Sequence, residues 1–280
     1  MSVRRLLFVI LAAYVALAAG PAAAAAVEEK TRPWPQAMVR VWIDPAVRAN
    51  RDKHAKVTRA MAAWQAATGV RISATNDRRG PRLYVVNAAR GPCTANVGFW
   101  PRVPAQGPLA SGGVLTVGTC SAGSVLHEFG HALGLMHEHQ RADRDLYLSF
   151  SPVADVLRAC RARGGKGCTE ALDNIGQPRR LRLQSDYDPC SLMHYLADQS
   201  PKERAGRFPP SPGWRQFYLL TAAGRANYRA CKAKLTRTPD CASGKTGQKC
   251  QITCQDANTV AVFHGLRPRQ ACWGRGPARR

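Results

Sequence analysis

Two histidines four residues apart, His127 and His131, constrain this chain more than any other feature. On a helix, residues i and i+4 share a face about one turn apart, so both imidazoles present to one point. Gly134 follows where the backbone must leave the helix, because glycine adopts the left-handed conformation without steric cost. The turn then brings up His137 as a third nitrogen. Three protein nitrogens with an open fourth position are the arrangement of a catalytic zinc site, whereas structural zinc sites are closed by four protein ligands. Glu128 lies at the edge of the same helix face, next to the first ligand. There a carboxylate can accept a proton from water activated by the metal and hand it to a leaving amine. The expectation is one Zn2+ per chain. Of seven histidines in 280 residues, four (127, 131, 137 and 139) fall within 13 positions, which argues against an ordinary core helix with scattered buried histidines.

The pattern extends in both halves of the chain. Past the third histidine stand Glu138, Arg141, Asp143, Arg144 and Asp145, and further on comes Ser191-Leu192-Met193-His194-Tyr195. A His-Glu-x-x-His-x-x-Gly-x-x-His run with a later methionine turn is the metzincin signature. With these extensions the sequence resembles one metzincin branch, the astacin family of zinc endopeptidases, over roughly residues 30–232. The resemblance implies an α+β metzincin fold. An upper subdomain would carry a twisted, mostly parallel sheet and two long helices. A lower irregular subdomain would carry the Met-turn and a C-terminal helix, with a small disulfide-rich tail added. It implies that His127, His131 and His137 bind zinc, with Glu128 as general base and then acid. Met193 would form an apolar floor beneath the metal. Tyr195 would be a weak further ligand that swings away to donate a hydrogen bond to the oxyanion. Glu138 would meet the buried amino terminus of the mature chain. The family also has a cysteine at the position of Cys120, for which Cys93 is a candidate partner. It leaves Cys231 without its usual partner, so that Cys190 becomes a candidate. The 160–168 stretch reads as an insertion.

The N-terminus sets the expected compartment. Residues 1–5 are short and basic, 6–19 are apolar, and 22–26 offer small residues for cleavage. This is a secretory signal, since the apolar run falls short of the ~20 residues that span a bilayer. The expected product is a secreted or periplasmic protein with no membrane span after signal removal. Cleavage near Ala26 would itself create the mature amine that reaches Glu138. Ten cysteines in an exported chain read as disulfides rather than as a thiolate metal site, and their number alone leaves the connectivity open.

The remaining signals are coarser. Alternation at Val39, Val41 and Ile43 predicts a strand. The spacing of Val57, Met61 and Trp64 predicts a helix over 52–67 that stops at Gly69. Short strands are expected at 70–73, 83–86 and 114–117, a helix from 123 to about 133, and a final helix capped by Thr221. Residues 202–213 read as a basic, proline-rich surface loop. The division expected is a signal over 1–26, a catalytic domain over 27–233 and a basic, Cys-rich extension over 234–280. That extension holds nine Lys or Arg, two Asp and four Cys, and reads either as a disulfide-stapled cap or as a module docking on anionic surfaces.

With 41 Lys and Arg against 18 Asp and Glu, the chain carries a formal charge of +23, which suits acidic partners such as an anionic envelope polymer. No nucleic-acid motif accompanies the charge. Three functions fit the residues: an endopeptidase acting on proteins or peptides as a monomer, a non-catalytic envelope- or polyanion-binding protein with a retained zinc site, and a zinc hydrolase of non-peptide amides. The complete catalytic pattern favours the first.

Overall fold

The computed structural model describes residues 26–28, 30–107, 110–149, 181–183, 186–194, 219–233, 251–269 and 272. The signal segment up to residue 25, the 160–168 excursion, the 202–213 loop, Tyr195 and residues 234–250 lie outside them.

Alternation builds the central sheet. In β2 (Met38–Ile43), Val39, Val41 and Ile43 are buried on one face, while Trp42 on the other tilts against Tyr84. Helices α1 (Pro45–Ala49) and α2 (Arg51–Thr68) follow, started by Asp44, which accepts from the Ala46 N–H, and by Asn50, which accepts from the Lys53 N–H. These are N-caps that satisfy otherwise orphaned amides. Helix α2 ends at Gly69 in the left-handed conformation, and the chain returns as β3 (Arg71–Thr75) parallel to β2. Strands β4 (Pro81–Asn87), β5 (Thr94–Ala95) and β6 (Ser111–Val117) complete a five-stranded sheet in the order β3-β2-β4-β6-β5. All pairs are parallel except β5 with β6, so the edge beside the next helix is antiparallel.

Helix α3 (Ala122–Ala132) lies between that edge and α2. Val57, Met61 and Trp64 of α2 share one buried cluster with Val125 and Phe129 of α3 and with Leu83, Val85 and Leu115 of the sheet. Burying each such side chain contributes about 1.5–3 kcal/mol. The two buried indoles are also hydrogen-bonded to α3, Trp64 to the Leu126 carbonyl at 2.8 Å and Trp34 to that of Ala132 at 2.7 Å. A buried indole N–H needs such a partner, so these bonds fix α3 against both the N-terminal segment and α2.

Smaller elements frame the lower half. β1 (Ala26–Glu28) pairs antiparallel with β8 (Leu181–Leu183), and β7 (Leu148–Ser149) with β9 (Leu219–Leu220). Helix α4 (Ala222–Lys232) starts at Thr221, whose hydroxyl accepts from the Gly224 N–H. Disulfides Cys93–Cys120 and Cys190–Cys231 form, matching the pairs suggested by the resemblance, and Cys254 joins Cys272.

Part of the extension beyond residue 233 enters the core. Helix α5 (Cys254–Phe263) begins in a capping box between Thr253 and Asp256 and packs on α2. Gln255 through Ala261 are buried, Val260 joins the central cluster, and the Arg269 guanidinium donates to the Ala66 carbonyl. This segment packs against α2 and the central cluster. No helix among the described residues is long and apolar enough to cross a membrane.

Candidate active site

Ser121 caps α3, its hydroxyl accepting from the Ser124 N–H. One turn before the C-terminus of the helix lies His127, and in its last turn His131. The helix closes with paired bonds, Leu135 N–H to the Gly130 carbonyl at 3.0 Å and Gly134 N–H to that of His131 at 2.8 Å, with Gly134 at φ +105°. This 6→1 and 5→2 pairing is a Schellman motif, which requires a residue at positive φ. The turn then delivers His137 opposite the other two rings.

The three imidazoles converge on one point. His127 Nε2 and His137 Nε2 are 3.3 Å apart, and His131 Nε2 and His137 Nε2 are 3.1 Å apart. A tetrahedral zinc ion with Zn–N bonds near 2.0–2.1 Å wants its nitrogens about 3.3 Å apart. The other ring nitrogens settle the tautomers of the helical pair. His127 Nδ1 donates to the Leu192 carbonyl at 2.8 Å and His131 Nδ1 to the Leu135 carbonyl at 2.7 Å. Each of these two Nε2 atoms therefore turns a lone pair inward, where a cation can accept it. Burial keeps the rings neutral, pushing His127 down to about 3, helped by its neighbour His131, and His131 down to about 4. The residues thus fit zinc, the metal that the family implies.

These shifts predict a pH dependence of the metal-free protein. Unfolded histidines take up protons near pH 6.5, and the folded pair does so only near 4 and 3. Between those values the unfolded state binds more protons, so stability falls as pH falls from about 6.5 towards 4. The ring resonances of His127 and His131 in the metal-free protein should stay constant from pH 8 to 5. Titration of both near 6.5 in proton NMR would contradict the burial argument.

Glu128 is partly buried, and desolvation raises its carboxyl to about 8, against the lowering pull of the Ala95 backbone in the edge strand β5. A neighbouring dication acts in the opposite direction and favours the carboxylate. Met193 lies under α3, where a Cβ on Gly130 would come within 2.5 Å of its sulfur, so the glycine lets the two elements meet. The Met193 carbonyl accepts from the Glu138 N–H at 3.1 Å.

Glu138 is fully buried. Its Oε1 accepts from Arg141 Nη1 at 2.9 Å and from the Asp188 N–H at 2.8 Å, while Oε2 has no hydrogen-bond partner among the described residues. Burial raises its carboxyl to about 7 against the pull of Arg141. Arg141 also forms two bonds to Asp143, at 2.9 and 2.8 Å. His139 and His194 do not join the ligand cluster. His139 stacks on His137, and His194 bonds the Tyr187 hydroxyl.

Sequence reasoning missed the carbonyls of Leu135 and Leu192, which no side-chain pattern encodes. It also missed Asp256. That carboxylate accepts from Ser191 Oγ at 2.6 Å and from the Leu192 N–H at 2.9 Å. The Thr253-x-x-Asp256 spacing is a capping pattern legible in the sequence.

Residues 26–206 match the family described as Astacin (Peptidase family M12A). The chain belongs to the astacin family. Among similar proteins, Nematocyst expressed protein 6 of Nematostella vectensis is 32% identical over 163 residues, covering 58% of this chain and 50% of that protein. Zinc metalloproteinase nas-37 of Caenorhabditis elegans is 33% identical over 166 residues, covering 59% of this chain and 20% of that protein. The chain therefore spans half or less of these astacin relatives. In fold it is similar to High choriolytic enzyme 1 of Oryzias latipes, a hatching enzyme zinc-protease, with a TM-score of 0.53 at 18% identity, covering 85% of this chain and 94% of that one. The astacin α+β fold, with its mostly parallel sheet, agrees with the expectation.

Proposed function

We propose that this chain is an exported zinc endopeptidase that cleaves internal peptide bonds of proteins, acting as a monomer with one zinc ion. The observation that carries the proposal is the convergence of three imidazole nitrogens, His137 Nε2 lying 3.1 and 3.3 Å from those of His131 and His127, with Glu128 on the same helix as that pair. Its family membership and disulfides are consistent with it. His127, His131 and His137 hold the ion, and the carbonyls of Leu192 and Leu135 hold two of the rings in register. When bound, zinc lowers the pKa of water toward ~7 and polarises the scissile carbonyl.

The chain's own groups do the rest. Glu128, on the helix that carries His127 and His131, takes a proton from the attacking water and returns it to the leaving amine. Met193 closes the site from below with apolar surface, and Glu138 and Arg141 brace the backbone beyond His137. Tyr195, which follows the described Met-turn residues, supplies a hydrogen bond to the oxyanion. Strand β5, two residues long at the sheet edge, offers backbone to which an extended substrate can pair beside Glu128. The signal over 1–26, the catalytic domain over 27–233 and the extension over 234–280 remain the proposed division, with α5 docked on the catalytic domain.

The test is cleavage of an unfolded protein by the zinc-loaded mature chain. Internal peptide products, lost on chelation and restored by one equivalent of zinc, are the expected result. Zinc bound at one per chain with no peptide released from any unfolded protein would overturn it in favour of a binding role.

A further inference from the structure

We infer that Asp256, in the C-terminal extension and outside the residues matched to the family, is a positioning residue for the metal centre. This rests on the reading that the three histidines hold zinc. The path is short and buried throughout. Asp256 Oδ1 accepts from the Ser191 hydroxyl at 2.6 Å, and Oδ2 accepts from the Leu192 N–H at 2.9 Å. The same Ser191 oxygen accepts from the Met193 N–H at 2.9 Å. Asp256 therefore fixes three successive residues of the Met-turn. The Leu192–Met193 peptide, whose N–H is held by that Ser191 oxygen, turns its carbonyl to the site, where it accepts from His127 Nδ1 at 2.8 Å. One carboxylate thus holds the acceptor that sets the tautomer and tilt of a zinc ligand. Outer groups that orient a ligating histidine typically govern 10–100-fold of metal affinity.

The carboxylate is itself held. Thr253 N–H donates to Oδ2 at 3.2 Å, and the Thr253 hydroxyl accepts from the Asp256 N–H at 3.1 Å, so the capping box of α5 locks its rotamer. The same helix reaches the site a second time. Phe263 lies against Gly134, where any Cβ would collide with its ring, at the turn that leads to His137. Helix α5 therefore contacts the supports of two ligands, one at each end. A helix that merely covered the core would need neither contact.

Three donors share two carboxylate oxygens, so Asp256→Asn keeps the volume but puts an amide NH2 where a donor already points. The experiment measures zinc affinity of the full mature chain by competition with a chromophoric chelator, and the visible spectrum of the cobalt(II)-substituted protein. Asp256→Asn should weaken zinc binding by about tenfold and shift the cobalt bands. Val260→Ala, on the same helix but in the apolar cluster, should lower Tm while leaving both readouts unchanged. Ser191→Ala cuts one arm with the carboxylate retained and should weaken affinity in the same direction; it serves where Asp256→Asn does not fold. Affinity and cobalt spectrum equal to wild type in Asp256→Asn, or equal weakening in Val260→Ala, would overturn the inference while wild-type binding of one zinc leaves the metal reading intact. A wild type that binds no zinc would overturn both.

Discussion

Glu128→Gln should lower kcat for peptide hydrolysis by about 10²–10⁴-fold, the usual contribution of a positioned general base. That corresponds to about 3–5 kcal/mol of transition-state stabilisation. Glutamine matches the shape of glutamate and cannot take a proton. The side chain is not one of the three converging nitrogens, so zinc content should stay at one per chain. KM should change little, because the lost interaction belongs to the proton transfer and not to the bound ground state. The measurement is steady-state cleavage of a fluorogenic peptide with metal analysis on the same sample. Activity within tenfold of wild type at full zinc loading would remove Glu128 from the role of base.

Arg141→Met should cost about 3–5 kcal/mol of folding stability at pH 8, as removal of one member of a buried pair does. Arg141 and Glu138 are both fully buried, and the guanidinium also grips Asp143 through two bonds and lies 5.5 Å from the Tyr187 ring centre. Asp188 and Asp256, also buried, stand close enough to raise one another or Glu138 electrostatically. Without the arginine, three carboxyl groups share one apolar region. The sign of the pH effect follows from Glu138, whose folded value of about 7 exceeds the ordinary 4.5. The folded state holds that proton more tightly, so its contribution is complete below about 4.5 and is lost as pH rises through 7. Removing Arg141 takes away a lowering influence and moves the loss to higher pH, with a neutral Glu138 at lower pH. The variant should therefore be much closer to wild type in urea unfolding at pH 5 than at pH 8. Equal losses at the two pH values would show that the cavity, and not the unpaired charge, dominates.

The convergence of the three histidines was legible because its geometry is local. His127 and His131 are one helical turn apart, and Gly134 marks the turn before His137, so spacing alone carries the arrangement. Strand β2 was legible because it has one buried face, which period-two alternation records. Strand β5 was not, since two residues cannot display a period. Helix α5 was hidden for a different reason. Its buried positions include Gln255, Asp256, Asn258 and Thr259, so it shows no apolar stripe and only its Thr253-x-x-Asp256 cap marks it as a helix. Asp256, for example, is covered because a hydrogen-bonding partner 65 residues away in sequence accommodates it. Such partners leave no trace in a local window. The supports of the ligands, being backbone carbonyls, are equally silent in the sequence.

The position of α5 has a consequence in time. A chain made from its N-terminus presents the three histidines well before residue 254. Until α5 arrives, the cluster shared by α2, α3 and Val260 is incomplete, and the Met-turn lacks the carboxylate that gathers Ser191 and Leu192. A chain halted short of residue 254 would therefore hold its three histidines above an unsupported Met-turn, so the order of synthesis places completion of the site after the histidines themselves.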